Sequence, residues 1–141
     1  MEKFVKGDIV VIPFPFSDLS ASKKRPALIV ASLDGNDCIL AQITSVERFD
    51  SYALSLVDKD FVTGKLPHKS NIRPNKLFTA DKSSIAYKTG QVKRIKQKEV
   101  EDTLIKIISK LSNLGSSNKF LIIKNNKTRI HLITSSSSNI I

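Results

Sequence analysis

Gly7 to Val30, GDIVVIPFPFSDLSASKKRPALIV, is the stretch from which the rest of the chain is read. Asp8-Ile9-Val10-Val11-Ile12 is rich in β-branched residues, and Pro26-Ala27-Leu28-Ile29-Val30 is a second apolar run. The stretch therefore reads as strand, loop, strand. Pro13 and Pro15 lie between the runs, and proline cannot donate to a ladder, so both are expected at a strand's end or edge. The polar segment Ser17 to Arg25 is predicted to be a loop ending in Lys23-Lys24-Arg25. A residue before proline is pushed towards extended backbone, which gives Arg25 a defined direction. A guanidinium held at a loop base suits a phosphate site, although a plain loop cation has the same appearance in sequence.

Working outward, Leu33-Asp34-Gly35-Asn36-Asp37 carries Asp-Gly turn chemistry. Cys38 to Ser45, CILAQITS, is a third strand pairing back on the second, and its continuous apolar character places it centrally in a small sheet. Ser51 to Val57 reads as a short fourth strand and Asp58 to Lys69 as a loop with Gly64 and Pro67. Ser70 to Arg73 reads as a strand interrupted by Pro74, after which Leu77 to Thr79 leads into a strand over Ser83–Val92. So many short strands in so few residues predict a compact, strongly bent sheet or barrel.

Lys98 to Leu111 is the clearest helix, with Val100, Leu104, Ile107, Ile108 and Leu111 on one stripe expected to pack on the barrel. Glu99, Glu101 and Asp102 then fall in its first turn, matching the helix dipole. Residues 113–141 read as a linker and tail. In that tail Phe120 to Ile123 and Thr128 to Thr134 flank Asn125-Asn126 as a possible hairpin, and Ser135 to Ser138 is low-complexity.

At 141 residues the chain fits one domain, 1–112, with an appendage. No apolar run approaches the roughly 18–20 residues of a membrane span, and the N-terminus lacks a secretory h-region. The single cysteine, Cys38, excludes an intramolecular disulfide and reads as a small buried hydrophobe. The net charge of +10 is uneven. Residues 61–98 hold ten Lys/Arg against one acid, Asp81, whereas residues 1–60 hold seven against nine. That middle block is the face for a polyanion, either nucleic acid or an acidic protein segment.

With two histidines, His68 and His131, no ordinary His/Cys metal cluster can be built, so no metal and no cofactor are expected. There is no Gly-rich phosphate loop and no nucleophile elbow, and both histidines read as solvated bystanders. What remains is cations, hydroxyls and backbone. RNA brings its own nucleophile, the 2′-OH, which attacks the adjacent phosphorus and expels the 5′ oxygen. An enzyme that holds the phosphate in line and donates to its developing charge can catalyse this, at about 3 kcal/mol per well-aimed donor. Arg25 fits charge stabilisation rather than proton transfer. Thr44, ending an apolar strand, fits a hydroxyl donor or simply a β-branched strand residue.

The opening stretch, then Ile39-Leu40-Ala41-Gln42-Ile43-Thr44-Ser45, then Ser70-Asn71-Ile72-Arg73-Pro74-Asn75-Lys76-Leu77-Phe78-Thr79, resembles the MazF/PemK toxins of type II toxin–antitoxin pairs. The resemblance covers about the first 112 residues. It implies a mainly β, SH3-like barrel with a C-terminal helix, as in the MazF/PemK/CcdB group. It implies a bacterial, cytoplasmic homodimer that cleaves single-stranded RNA at short sequences, leaving a 2′,3′-cyclic phosphate and a 5′-OH. Arg25 and Thr44 match the family's catalytic pair; Lys23, Lys24, Gln42, Ser45 and Arg73 are the expected substrate-binding residues, and the Phe16–Lys24 loop is expected to gate or contact the groove. Asn75 stands where the family commonly carries an aspartate, and Asn cannot act as a base, so Arg73 carries over as a phosphate ligand only. A cognate acidic antitoxin is the implied protein partner. The alternatives are a non-catalytic toxin of the same fold binding a protein target, as CcdB-like members bind gyrase, or a degenerate member binding only RNA or antitoxin.

Overall fold

The computed structural model describes residues 3–14, 23–46, 50–110, 120–124 and 130–134. They belong to two compact units, Met1–Ile108 and Ser109–Ile141. The first unit contains β1 (Asp8–Phe14), β2 (Lys23–Ser32), β3 (Asp37–Thr44), β4 (Leu54–Leu56), β5 (Phe61–Gly64), β6 (Ser70–Asp81), β7 (Tyr87–Val92) and α1 (Arg94–Ile108). The seven strands form one sheet in the order β4-β6-β3-β2-β1-β7-β5, with every neighbour antiparallel.

Leu56 on one edge strand and Phe61 on the other share a core with Ile9, Leu28, Ile43, Ile72 and Val92. The two edges of a flat sheet cannot meet, so the sheet is curled into a half-barrel, the SH3-like architecture expected from the sequence. Val100 of α1 is fully buried in this core and Leu104 packs against it. The opposite face of the middle strands forms a second core of Val10, Ile12, Phe14, Ala27, Ile29, Cys38, Leu40 and Ile85. Burial on both faces explains why β1 to β3 read as continuous apolar runs rather than alternating ones. Phe14 meets Phe78 edge-on with ring centroids 4.9 Å apart. Cys38 is buried as expected; burial pushes its thiol pKa up, and its Sγ lies 3.6 Å from the Ala80 carbonyl.

Several boundaries differ from the sequence reading. The second strand starts at Lys23, because β1 runs on through Pro13 and pairs Pro13↔Lys24 and Phe14↔Lys23. The three cations therefore open a strand rather than close a loop. The fourth strand is only Leu54–Leu56, and the expected loop over 58–69 contains β5, which pairs with β7. The interruption expected at Pro74 is a bulge inside one 12-residue strand. The β3–β6 register jumps from Ala41↔Leu77 to Gln42↔Arg73, so residues 74–76 leave the ladder, which is where a proline is tolerated.

The helix begins at Arg94, four residues earlier than expected, and its first turn holds no acid. Glu99, Glu101 and Asp102 instead form side-chain pairs with Lys96, Gln97, Lys98 and Lys6. Only the N-terminal part of the expected stripe packs inward: Ile108 is 77% exposed. Lys96 is buried and ties three elements together. Its Nζ donates to the Ser55 carbonyl at 2.9 Å and to Glu99 at 2.6 Å, with Asp60 at 3.8 Å.

In the second unit β8 (Phe120–Lys124) pairs antiparallel with β9 (Ile130–Thr134). The expected domain boundary at 112–113, Leu111 of the stripe, residues 16–22 of the gating loop and the serine run at 135–138 lie outside the described residues. Among the described residues no helix is long and apolar enough to cross a membrane.

Candidate functional site

The ends of β2 and β3 meet the β5–β6 connection and β7 around a cleft of about 510 Å³. Its lining includes Lys23, Lys24 and Arg25 from β2, Thr44 from β3 and Ser45 just after it, and Leu66, Pro67, His68 and Ser70 from the β5–β6 side. Tyr87 and Thr89 of β7 complete it, Tyr87 carried there by its pairing with Val11. The β2–β3 pairing ends at Ala27↔Gln42, two residues short of both Arg25 and Thr44, and both residues line the cleft beyond that point.

The cleft's chemistry is one-sided. Three cations and a histidine line it together with the hydroxyls of Thr44, Ser45, Ser70, Tyr87 and Thr89, and among the described residues no aspartate or glutamate is in the lining. Among the described residues, no acidic side chain ion-pairs with Lys23, Lys24 or Arg25. Thr44 has a fixed rotamer: its Oγ1 accepts from the Val46 amide at 3.1 Å, which leaves its hydroxyl proton to donate elsewhere. The site therefore offers a guanidinium, two ammonium groups and several hydroxyl donors to an anion.

Two of the expected binding residues lie away from this cleft. Gln42 sits between Ala27 and Arg73 in the sheet, and neither it nor Arg73 is in the lining. Arg73 is spent on an ion pair with Asp50 at 3.1 Å, where the two side chains are only 13% and 15% exposed, and its Nε is buried without a partner. Asn75 donates to the same Asp50 oxygen at 3.1 Å. The Tyr52 amide, then the donors of Arg73 and Asn75, hold the Asp50 carboxyl below the usual aspartate range. The carboxylate beside Arg73 thus comes from the β3–β4 connection, whereas position 75 carries the amide.

His68, Tyr87 and Thr89 are lining residues that the sequence reading did not select. The signal for Tyr87 lies in strand pairing, which local sequence does not encode. A second hollow of about 360 Å³ shares the Leu66–His68 wall and is lined by Lys65, Lys69 and Asp58. Among the described residues no three His, Cys, Asp or Glu side chains gather into a group that would hold a metal ion.

A half-barrel with one packed helix and a cationic cleft at its strand ends defines a class, and the family follows from comparison. The model of the PemK-like, MazF-like toxins of type II toxin–antitoxin systems matches residues 5–108, and the chain belongs to that family. No curated protein sequence matches it. Among solved structures, a mycobacterial endoribonuclease in complex with its cognate antitoxin superposes with a TM-score of 0.61 at 13% identity, covering 77% of this chain and 97% of that one. The Mycobacterium tuberculosis toxin MazF-mt6 gives 0.58 at 15% identity over 72% and 96%. MazF from Deinococcus radiodurans gives 0.58 at 16% identity over 74% and 96%. At these identities the likeness is one of fold.

Proposed function

We propose that this toxin is a metal-independent endoribonuclease that cleaves single-stranded RNA by attack of its own 2′-OH. The observation that carries the reading is the convergence of Arg25, Thr44, Lys23 and Lys24 on one cleft, with no carboxylate among the described residues that line it. A phosphodiester drawn into that cleft meets Arg25, whose guanidinium forks onto two phosphoryl oxygens as negative charge builds. Thr44 donates its hydroxyl proton to the same group. Lys23, Lys24 and Ser45 hold the flanking backbone, which places the scissile phosphate for in-line attack. Loss of one such donor from a preorganised site lowers kcat by roughly 10²–10³. Arg73, paired with Asp50, holds that carboxylate and the β3–β4 connection in place rather than meeting the phosphate.

The same cationic cleft suits neutralisation by a disordered acidic segment of an antitoxin, which orders as it binds. That a structural relative is an endoribonuclease in complex with its cognate antitoxin supports this partner.

Incubation with a long single-stranded RNA, and with DNA of the same sequence, in EDTA tests the reaction. Discrete RNA fragments ending in 2′,3′-cyclic phosphate, with the DNA intact, are expected. Intact RNA, or equal cleavage of DNA, would sink the reading, since DNA has no 2′-OH.

A further inference from the structure

The reaction proposed above must take a proton from the 2′-OH, and neither Arg25 nor Thr44 is suited to that step. An arginine stays charged under all ordinary conditions, and a threonine hydroxyl is a weak base. Among the described residues no aspartate or glutamate lines the cleft, but one histidine does, His68. Histidine is the side chain used most often for this work.

The position of His68 is set by the sheet. Thr44 pairs with Asn71 on β6, and His68 lies three residues before Asn71 in the chain. Three residues span at most roughly 10 Å, and His68 and Thr44 line the same cleft. Its backbone is pinned there. The buried Ser70 donates its hydroxyl to the His68 carbonyl at 2.9 Å. At the far end of the connection Gly64 is paired with Gly90 of β7. The residue is exposed. The charged and titratable groups facing it are Lys23, Lys24, Arg25 and Tyr87 across the cleft, and Lys65, Lys69 and Asp58 in the adjoining hollow.

From this placement, and resting on the reaction proposed above, we infer that His68 is the general base of RNA cleavage. Its imidazole takes the 2′-OH proton as the 2′ oxygen bonds to phosphorus. The bond from phosphorus to the 5′ oxygen breaks, the phosphoryl charge is held by Arg25, and the 5′ oxygen takes a proton from water. His68 then returns its proton to solvent, so the net change is one proton moved from the 2′ to the 5′ oxygen.

The test is single-turnover cleavage in EDTA across a pH series for wild type, His68→Gln and His68→Ala, with and without added imidazole. Because the residue is exposed, both variants should melt with the wild type, and this is checked first. Both are expected to lose roughly 10²–10⁴ in kcat with KM little changed. The fall in wild-type rate towards acid pH should vanish in both, and imidazole should restore part of the rate to His68→Ala. Wild-type kcat in either variant, or a rise in KM alone, overturns the assignment while leaving the nuclease reading intact. A wild type that does not cleave overturns both.

Discussion

Replacing Lys96 with methionine removes a buried ammonium while keeping most of its stem, so the change isolates the charge. Three acceptors lose their partner: the Ser55 carbonyl at 2.9 Å, Glu99 at 2.6 Å and Asp60 at 3.8 Å. Glu99 is 48% exposed and returns to water at little cost, about 0–1 kcal/mol. Asp60, 12% exposed, and the Ser55 carbonyl dominate the loss. A buried acceptor left unsatisfied costs about 1–3 kcal/mol, and breaking a buried ion pair from one side costs about 3–5. The pair here is long and partly wet, so roughly 2–4 kcal/mol is expected in all. For a unit of this size that corresponds to a fall of roughly 10–20 °C in Tm. The chain has no tryptophan, so urea unfolding followed by far-UV circular dichroism is the suitable assay. The midpoint should drop with the m value unchanged. A loss below about 0.5 kcal/mol, the level of an ordinary surface change, would show that Lys96 does not tie β4, the β4–β5 connection and α1 together.

Two further changes address the frame of the site. Asp50 has its carboxyl pKa held below the usual aspartate range by the Tyr52 amide and then by Arg73, so the folded state binds this proton less readily than the unfolded chain. The stability it adds is present above the ordinary aspartate pKa and is lost as pH falls from there through the lower folded value. Asp50→Asn should therefore be less stable than wild type at neutral pH, with the gap closing in acid. Denaturation curves at several pH values check this, and a gap that does not narrow in acid contradicts it. Gly64 has φ +74, and an added Cβ would stand 2.1 Å from the Thr89 carbonyl, so Gly64→Ala should cost roughly 3 kcal/mol or more. Wild-type stability in that variant would mean that the β5–β7 approach is looser than the structure shows.

What the sequence made legible was the local part of the fold. β1, β2 and β3 were visible because both their faces are buried, and an unbroken β-branched run needs no partner to be recognised. β5 was not, because Phe61-Val62-Thr63-Gly64 has one buried residue and sits between polar, Gly and Pro positions. β6 appeared broken at Pro74 because a bulge is a property of two strands, and only the pairing with Ala41 and Gln42 shows it. The helix was placed late because its first turn buries Lys96 and Gln97, and a search for apolar periodicity passes over a buried lysine. For the site, Arg25 and Thr44 are singled out in the sequence by the family resemblance, and the structure shows both lining one cleft. The far wall, His68 with Tyr87 and Thr89, was not legible. Those residues reach the cleft through a connection and an antiparallel pairing more than twenty positions away in sequence.

The account rests most directly on the rate at which Arg25→Ala and Thr44→Ala cleave RNA compared with wild type. Single-turnover cleavage in EDTA measures it, with thermal melting showing that each variant is folded. Arg25→Ala is expected to fall by roughly 10²–10³ and Thr44→Ala by a comparable factor, with the loss in kcat rather than KM. Folded variants that cleave at the wild-type rate would remove both residues from the chemistry, and the cleft around them would no longer be the active site.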